Sequence, residues 1–195
     1  MSSAVRIADA MPSVRVSESD LVARIRAGDE RALEVVFRAR YAALCDFARR
    51  YVREHALAEE LVQDLFADLW ARRASWHVTG SLRAYLYSAV RNRALNLRRR
   101  QAIERDWERD ETDADVSALH QPPERPDDAL EQRDARARLH AALESLPERC
   151  RLVMHLRWRD QLHHAEIAAI MGISVKGVEI QLSRGLRSLR LLLVR

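Results

Sequence analysis

Hydrophobic residues recur at helical spacing along most of the chain. Apolar positions follow a three-four spacing from Ser19 to about Arg100, and the same spacing resumes near Leu130 and continues towards the C-terminus. The sequence shows neither the alternation of apolar and polar residues that is typical of strands nor an internal repeat. The pattern therefore predicts an all-α protein with two small helical domains.

The segment between the two periodic regions is rich in acidic residues and ends with Pro122, Pro123 and Pro126. It contains too few apolar residues to bury itself, so we expect a flexible acidic linker that competes with DNA for the arginines of the protein. The expected organisation is a flexible tail, a first domain, the linker and a second domain, which span residues 1–18, 19–100, 101–129 and 130–195.

The second domain contains the pattern of a helix-turn-helix. In a short helix, Ile167, Ala168 and Met171 share the inward face. Gly172 follows at the position that requires a left-handed backbone, and Ser174 can cap the next helix. The second helix of such a motif enters the major groove of DNA by its N-terminal end.

In that second helix, Val178, Leu182 and Leu189 are predicted to face the core. The residues predicted to contact duplex DNA are Ser174, Lys176, Glu179, Ile180, Ser183, Arg184 and Arg187. Arginines suit phosphate groups, whereas Lys176 and Glu179 are better placed for base edges. An ordinary helical hairpin with a solvated basic face is the alternative interpretation.

Upstream, the spacing of Ser145 and Glu148 resembles a capping box, with Pro147 in the first turn of the next helix. That helix is expected to bury Cys150, Val153, Met154 and Trp158.

An acidic stripe and an apolar stripe share one helix of the first domain. Glu60, Asp64 and Asp68 recur every four residues, a like-charge arrangement that costs an isolated helix a few tenths of a kcal/mol per pair. A basic partner protein would explain this stripe, and a solvated face offset by nearby arginines is an equally good explanation. The apolar stripe consists of Leu61, Leu65, Phe66 and Leu69.

The following helix combines arginine with aromatic and polar residues on one face. Leu82, Leu86 and Val90 supply its core side. The opposite face is expected to present Arg83, Tyr87, Arg91, Asn92, Arg98, Arg99 and Arg100. Rings between arginines suit single-stranded DNA, because bases stack on the rings while the arginines follow the backbone. Trp76 and Tyr85 add aromatic rings to this region. Alternatively, both are core residues with no role in DNA binding.

Composition and charge add modest support. The net charge is only +4, and nearly all of the positive charge is arginine, which binds phosphate groups and bases through paired hydrogen bonds. Cys45 and Cys150 have no redox-type or metal-type spacing and are expected to be reduced core residues. We expect no cofactor and no metal ion. Without a membrane-length apolar run or a secretion signal, a cytoplasmic protein is expected.

Taken together, these motifs resemble the extracytoplasmic-function (ECF) group of bacterial sigma factors in the sigma-70 family. Residues 59–70 resemble the helix that docks on RNA polymerase, residues 82–100 the element that reads the −10 region, and residues 146–184 the −35-binding domain. The resemblance implies core RNA polymerase and promoter DNA as partners, with a duplex −35 element and a single-stranded −10 element, and an anti-sigma factor as a further partner. It also implies that the polymerase, and not this chain, is the enzyme.

The resemblance also assigns roles to individual residues. It assigns polymerase docking to six residues of one helix: Glu60, Gln63, Asp64, Phe66, Asp68 and Trp70. Trp76 and Asn92 map near a pocket for a flipped −10 base, and Asn96 stands where aspartate is common. Gly177 and Glu179 depart from the family pattern in the recognition helix, which leaves the −35 preference open.

Two other classes of protein remain as alternatives. A conventional helix-turn-helix repressor or activator would bind duplex operators alone, usually as a symmetric dimer. A nuclease or transposase would need clustered carboxylates for metal ions, whereas the acidic residues here lie in the linker or along one helix face.

Overall fold

The computed structural model describes residues 17–52, 54–108 and 138–193, and every regular element within those ranges is helical. Most of the predicted tail and most of the predicted linker lie outside the described residues. The tail prediction is wrong at its end, because Ser17 caps a helix that begins at Glu18. The linker prediction is wrong at its start, because the helix that begins at Leu82 continues through Glu108.

The first domain is formed by four α-helices. They are α1 (Glu18–Arg26), α2 (Glu30–Ala48), α3 (His55–Ala71) and α4 (Leu82–Glu108), with a 3-10 turn at Arg73–Ser75 after α3. The core side chains Phe47, Val62, Leu86 and Val90 are almost fully buried, and they come from α2, α3 and α4. The predicted apolar stripe of α4 is confirmed, and so is that of α3, whose members are all buried: Leu61, Leu65, Phe66 and Leu69.

Side-chain caps set the start of several of these helices. Asp29 caps α2 by accepting hydrogen bonds from the backbone amides of Arg31 and Ala32, at 3.0 and 3.3 Å. Glu18 of α1 accepts a hydrogen bond from the first amide of α4, at Leu82, over 2.9 Å. This contact joins the first and last helices of the domain and was not foreseen from the sequence.

The second domain packs α5, described over residues 138–144, with α6 (Glu148–Trp158), α7 (His164–Met171) and α8 (Val175–Leu193). Val153, Leu156, Ile167 and Val178 are fully buried and form its core. Cys150 and Met154 are buried as predicted, and both cysteines are free thiols.

Two predictions about α6 are wrong. Trp158 is 45% exposed and lies outside the core. The Ser145 hydroxyl donates back to the carbonyl oxygen of Ala142 at 2.8 Å and does not cap α6, whose N-cap position is taken by Pro147 in an extended conformation.

The two domains lie against each other, with α7 packed on α4. Arg159 of the second domain forms an ion pair with Asp46 at the end of α2. Arg98 of α4 pairs with Glu148 at the start of α6, at 2.7 Å. No helix of the described ranges has the length and apolar character needed to cross a lipid bilayer.

Candidate nucleic-acid interface

The turn between α7 and α8 has the geometry that the sequence predicts. Gly172 ends α7 with φ 63° and ψ 43°, in the left-handed region that favours glycine. The hydroxyl of Ser174 then accepts a hydrogen bond from the amide of Gly177 at 3.0 Å and so caps α8. Ile167, Ala168 and Met171 are buried, as expected. The helix-turn-helix prediction is confirmed at the level of its backbone.

α8 presents one face to the core and the opposite face to solvent. Val178, Leu182 and Leu189 are buried. All seven residues predicted to contact duplex DNA are exposed: Ser174, Lys176, Glu179, Ile180, Ser183, Arg184 and Arg187. The N-terminal end of α8 is therefore open to a duplex.

The acidic stripe of α3 is divided between solvent and intramolecular contacts. Glu60, Gln63 and Asp64 are exposed. Asp68 forms an ion pair with Arg93 of α4 at 2.6 Å, and the hydrogen bond from this guanidinium lowers the pKa of Asp68. Asp68 is thus already neutralised within the domain, by an arginine that the sequence analysis did not single out.

The two aromatic residues assigned to polymerase docking have different surroundings. Phe66 is only 5% exposed and packs edge-on against Phe37, with ring centroids 4.9 Å apart. The assignment of Phe66 to the docking surface is wrong for this structure, because its ring lies in the core. Trp70 is half-buried and is covered by the guanidinium of Arg73, 4.3 Å from the ring centroid.

The predicted strand-binding face of α4 is open along only part of its length. Asn92, Asn96, Arg98, Arg99 and Arg100 are exposed. A groove of about 320 Å³ between α3 and α4 is lined by both types of residue, with Glu60 and Asp64 on one side and Asn96 and Arg100 on the other. The residues predicted for polymerase docking and for DNA binding are therefore neighbours.

The N-terminal half of this face is covered by the second domain. Tyr87 is 2% exposed, packs against Phe47 and has its hydroxyl within hydrogen-bonding reach of Asp160. Arg83 donates to the carbonyl oxygen of Gln161 at 2.9 Å, and Arg91 is half-buried. The prediction that these three side chains face solvent is wrong. Arg83 and Tyr87 contact the turn and helix α7 of the second domain, whereas Arg91 lies beside Tyr51 of its own domain.

Trp76 lies on the other side of the first domain, beside a cleft. Its ring is 6% exposed and meets Tyr85 edge-on at 5.7 Å. The cleft has a volume of about 350 Å³ and is lined in part by Asp68, Tyr85 and Arg93. The indole Nε1 of Trp76 has no hydrogen-bond partner among the described residues. Trp76 is thus a core residue with an unused donor at the edge of a polar cleft.

Two acidic residues of the second domain, Asp160 and Glu166, contact the first domain and were not predicted from the sequence. Glu166 accepts hydrogen bonds from Ser81 at 2.7 Å and from the backbone amide of His163 at 2.9 Å, and it lies 3.4 Å from Arg83. Burial acts to raise the pKa of Glu166, but these contacts outweigh it and the pKa is lowered. Burial raises the pKa of Asp160, which faces Tyr87. In the sequence, Glu166 has only the signature of an acidic residue in a first helical turn.

A capped helix-turn-helix beside a second, arginine-rich helical domain is the architecture of a DNA-binding protein. Family comparison makes this specific, since residues 36–103 match Sigma-70 region 2 and residues 136–189 match Sigma-70 region 4. The chain is 32% identical over 166 residues to the RNA polymerase sigma-E factor of Streptomyces coelicolor, an alignment that covers 84% of this chain and 86% of that protein. The chain belongs to the extracytoplasmic-function group of the sigma-70 family and is a promoter-recognising RNA polymerase sigma factor.

Other relatives agree. An ECF RNA polymerase sigma factor, SigK of Mycolicibacterium vanbaalenii, is 23% identical over 92% of this chain and 91% of its own length. The probable RNA polymerase sigma factor RfaY of Xanthomonas campestris is 26% identical over 71% of this chain, which spans only 34% of that relative. Among solved structures, the sigma factor RpoE of Bartonella quintana, in complex with the anti-sigma factor NepR, is similar with a TM-score of 0.62 and 25% identity, over 82% of this chain and 95% of that one.

Proposed function

We propose that the two domains divide promoter recognition between them while the protein is bound to core RNA polymerase. The second domain binds the −35 duplex through α8, the first domain captures the unpaired −10 strand, and α3 supplies the docking surface for the polymerase. The polymerase performs all of the chemistry, so the chain itself is not an enzyme and works in the cytoplasm beside it.

The open face of α8 is the observation that carries this proposal. Lys176 and Glu179 lie exposed on its first turns, where a helix in the major groove reaches base edges. Arg184 and Arg187 lie further along the same exposed side, at positions that suit phosphate contacts. Glu179 offers an acceptor that favours cytosine, because the cytosine amino group is a donor in the major groove.

Docking on the polymerase is assigned to the exposed residues of the acidic stripe, Glu60 and Asp64, and to Gln63 beside them. These side chains are exposed, and Glu60 and Asp64 carry negative charge that a basic partner surface would offset. Asp68 contributes less, since Arg93 already binds it.

Capture of the unpaired −10 strand is assigned to the exposed surface of α4, which neighbours the docking residues of α3, and to the cleft at Trp76. The exposed arginines Arg98, Arg99 and Arg100 can follow a phosphate backbone. The cleft has room for one unpaired base, and its lining includes the carboxylate of Asp68 as an acceptor and the aromatic rings of Trp76 and Tyr85.

An anti-sigma factor is proposed as a further partner. The similar Bartonella structure is a complex of a sigma factor with an anti-sigma factor. We propose that an anti-sigma factor likewise binds this chain, and that it keeps the chain inactive until a signal releases it.

A gel shift with and without core polymerase tests the division of labour. The account expects weak binding of a duplex promoter by the chain alone, and a specific shift when core polymerase is added. A conventional helix-turn-helix regulator would instead give its full specific shift without polymerase, so that result would contradict the proposal.

A further inference from the structure

A hydrogen bond joins the exposed face of α3 to the preceding helix. The side-chain amide of Gln63 donates from Nε2 to the hydroxyl oxygen of Tyr41 on α2, over 3.2 Å. Gln63 is exposed and Tyr41 is half-buried, so this contact lies at the surface of the domain. The same hydroxyl faces the buried thiol of Cys45, one turn further along α2. Tyr41, which the sequence analysis did not single out, therefore contacts a residue assigned to polymerase docking.

Two phenylalanines hold the ring of Tyr41 in place. The ring stacks on Phe37, one turn earlier in α2, with ring centroids 4.6 Å apart. Phe37 in turn meets the buried ring of Phe66 on α3 edge-on, at 4.9 Å. Residues three or four positions apart share a helix face, which explains why the same two helices meet both at the rings and at the hydrogen bond. The hydroxyl of Tyr41 is therefore fixed by aromatic contacts that begin in the core.

The hydrogen bond determines which polar atom Gln63 offers to a partner. Its Nε2 is bound by Tyr41, whereas its Oε1 has no hydrogen-bond partner among the described residues. Glu60 and Asp64, the exposed carboxylates nearby on α3, are acceptors as well. Because lysine and arginine side chains carry only donors, three neighbouring acceptors match a basic partner surface. Without the Tyr41 hydroxyl, the amide is free to rotate and to present its own donors instead.

We propose that Tyr41 is a positioning residue for polymerase docking, which acts through Gln63 by holding its side-chain amide with the oxygen outward. This inference rests on the proposed function, since it assumes that the polymerase binds the exposed residues of α3, Gln63 among them. A side chain that is ordered before binding loses less conformational freedom on association than a mobile one. Phe66 then contributes to docking from the core, because it supports the rings that fix the Tyr41 hydroxyl.

A double-mutant cycle with core polymerase tests whether Tyr41 acts through Gln63. Tyr41→Phe removes the hydroxyl and keeps the ring on Phe37. Fluorescence anisotropy with labelled core enzyme gives the affinities of the wild type, Tyr41→Phe, Gln63→Ala and the double variant, all as full chains. Ordering one side chain on binding weakens association by about two- to tenfold, and Tyr41→Phe should lose affinity within that range. The double variant should bind no more weakly than Gln63→Ala alone, because the hydroxyl acts only through the amide.

Three further measurements separate positioning from stability. Tyr51→Phe is the matched control, because it removes a hydroxyl of the same domain that faces Arg91 of α4, and it should leave the affinity for polymerase unchanged. Thermal melting should not distinguish Tyr41→Phe from the wild type, because the lost hydrogen bond is exposed. The heteronuclear Overhauser effect of the Gln63 side-chain amide, whose resonance is identified by its absence in Gln63→Ala, should show a more mobile amide in Tyr41→Phe.

Equal affinity of Tyr41→Phe and the wild type for core polymerase would overturn the inference. A loss in the double variant beyond that of Gln63→Ala would overturn it as well, since the hydroxyl would then act independently of the amide. So would a Gln63 amide that is as mobile in the wild type as in Tyr41→Phe. If Gln63→Ala binds polymerase as tightly as the wild type, the docking assignment of the proposed function is refuted together with the inference. A weakened Gln63→Ala beside an unaffected Tyr41→Phe refutes the positioning role alone.

Discussion

Arg83 of the first domain and Glu166 of the second lie 3.4 Å apart, from Nη2 to Oε2, although 83 residues separate them in the sequence. Glu166 also accepts a hydrogen bond from the amide that begins its own helix, at His163. One carboxylate therefore supports the start of the helix-turn-helix and fastens that motif to the strand-binding helix of the other domain. The same carboxylate thus contributes both to the fold of the second domain and to its packing on the first.

Close packing of α6 on α8 requires glycine at position 185. A Cβ atom there would lie 2.6 Å from Met154 Sδ and 3.0 Å from Cys150 Sγ. We expect Gly185→Ala to destabilise the protein by about 1–3 kcal/mol, the usual cost of overpacking a core. Gly177→Ala is the matched control, because its Cβ would make only ordinary contacts, and better helix propensity should stabilise α8 by up to about 1 kcal/mol. Denaturant unfolding measures both, and equal effects would contradict the packing described.

Substitutions at two nearby positions of α3 should affect domain stability and polymerase docking separately. Phe66→Ala removes a buried ring and should cost about 3–5 kcal/mol of unfolding free energy. Asp64→Asn removes only an exposed charge, so it should leave the melting temperature unchanged while it weakens binding to core polymerase by about tenfold. Binding is measured by fluorescence anisotropy with labelled core enzyme. If Asp64→Asn binds as tightly as wild type, α3 is not the docking surface.

Two residues of α8 should affect duplex binding in different ways. Arg184→Ala removes a phosphate contact, so it should weaken binding to all sequences and lower the slope of log affinity against log salt by about 1. Lys176→Ala should reduce discrimination against mismatched −35 sequences by about 1–3 kcal/mol. Titrations of the complex with core polymerase, at several salt concentrations, distinguish the two effects. Identical salt slopes for wild type and Arg184→Ala would exclude a phosphate contact there.

Stability should fall with acidification because of a histidine at the domain interface. Burial, reinforced by Arg50, Arg159 and other positive groups nearby, lowers the pKa of His155 to about 3. The unfolded chain titrates near the ordinary value of 6.5, so between these values the unfolded state binds more protons than the folded state. The contribution of neutral His155 to the free energy of unfolding is fully present above pH 6.5. It is lost as the pH falls towards 3, by at most about 1.4 kcal/mol per pH unit.

His155→Gln should flatten this dependence between pH 6.5 and 5, whereas His77→Gln, at an exposed site, should leave it unchanged. Asp160 acts in the opposite direction, because its raised pKa favours proton uptake by the folded state. Urea unfolding across this range gives the slopes, and equal slopes for wild type and His155→Gln would contradict a buried neutral imidazole.

Helix periodicity was sufficient to predict the elements that form each core, and the cap and glycine pattern was sufficient to predict the turn before α8. Gly172 and Ser174 could be placed because their roles depend on local backbone geometry. Ser145 could not, since its spacing to Glu148 fits a capping box but its hydroxyl bonds back to Ala142. Periodicity separates an apolar side of a helix from a polar one and carries no information about a polar interface.

That limit explains the main errors at the site. Tyr87 was predicted to lie on the solvent face of α4, but its ring packs against Phe47 of α2 and its hydroxyl faces Asp160 of the second domain. The acidic residues that cover this face, Asp160 and Glu166, are separated from it by the whole predicted linker. Their contacts depend on how the two domains meet, which no local pattern in the sequence specifies.

The central claim is that this chain directs core RNA polymerase to a promoter. The most direct measurement is run-off transcription in vitro, with bacterial core polymerase and a template that carries the region upstream of the chain's own gene. The account predicts one discrete transcript that requires both the chain and the core enzyme and that disappears when the −35 element is scrambled. A chain that fails to associate with core polymerase in mild salt, or that yields no promoter-dependent transcript, would contradict it.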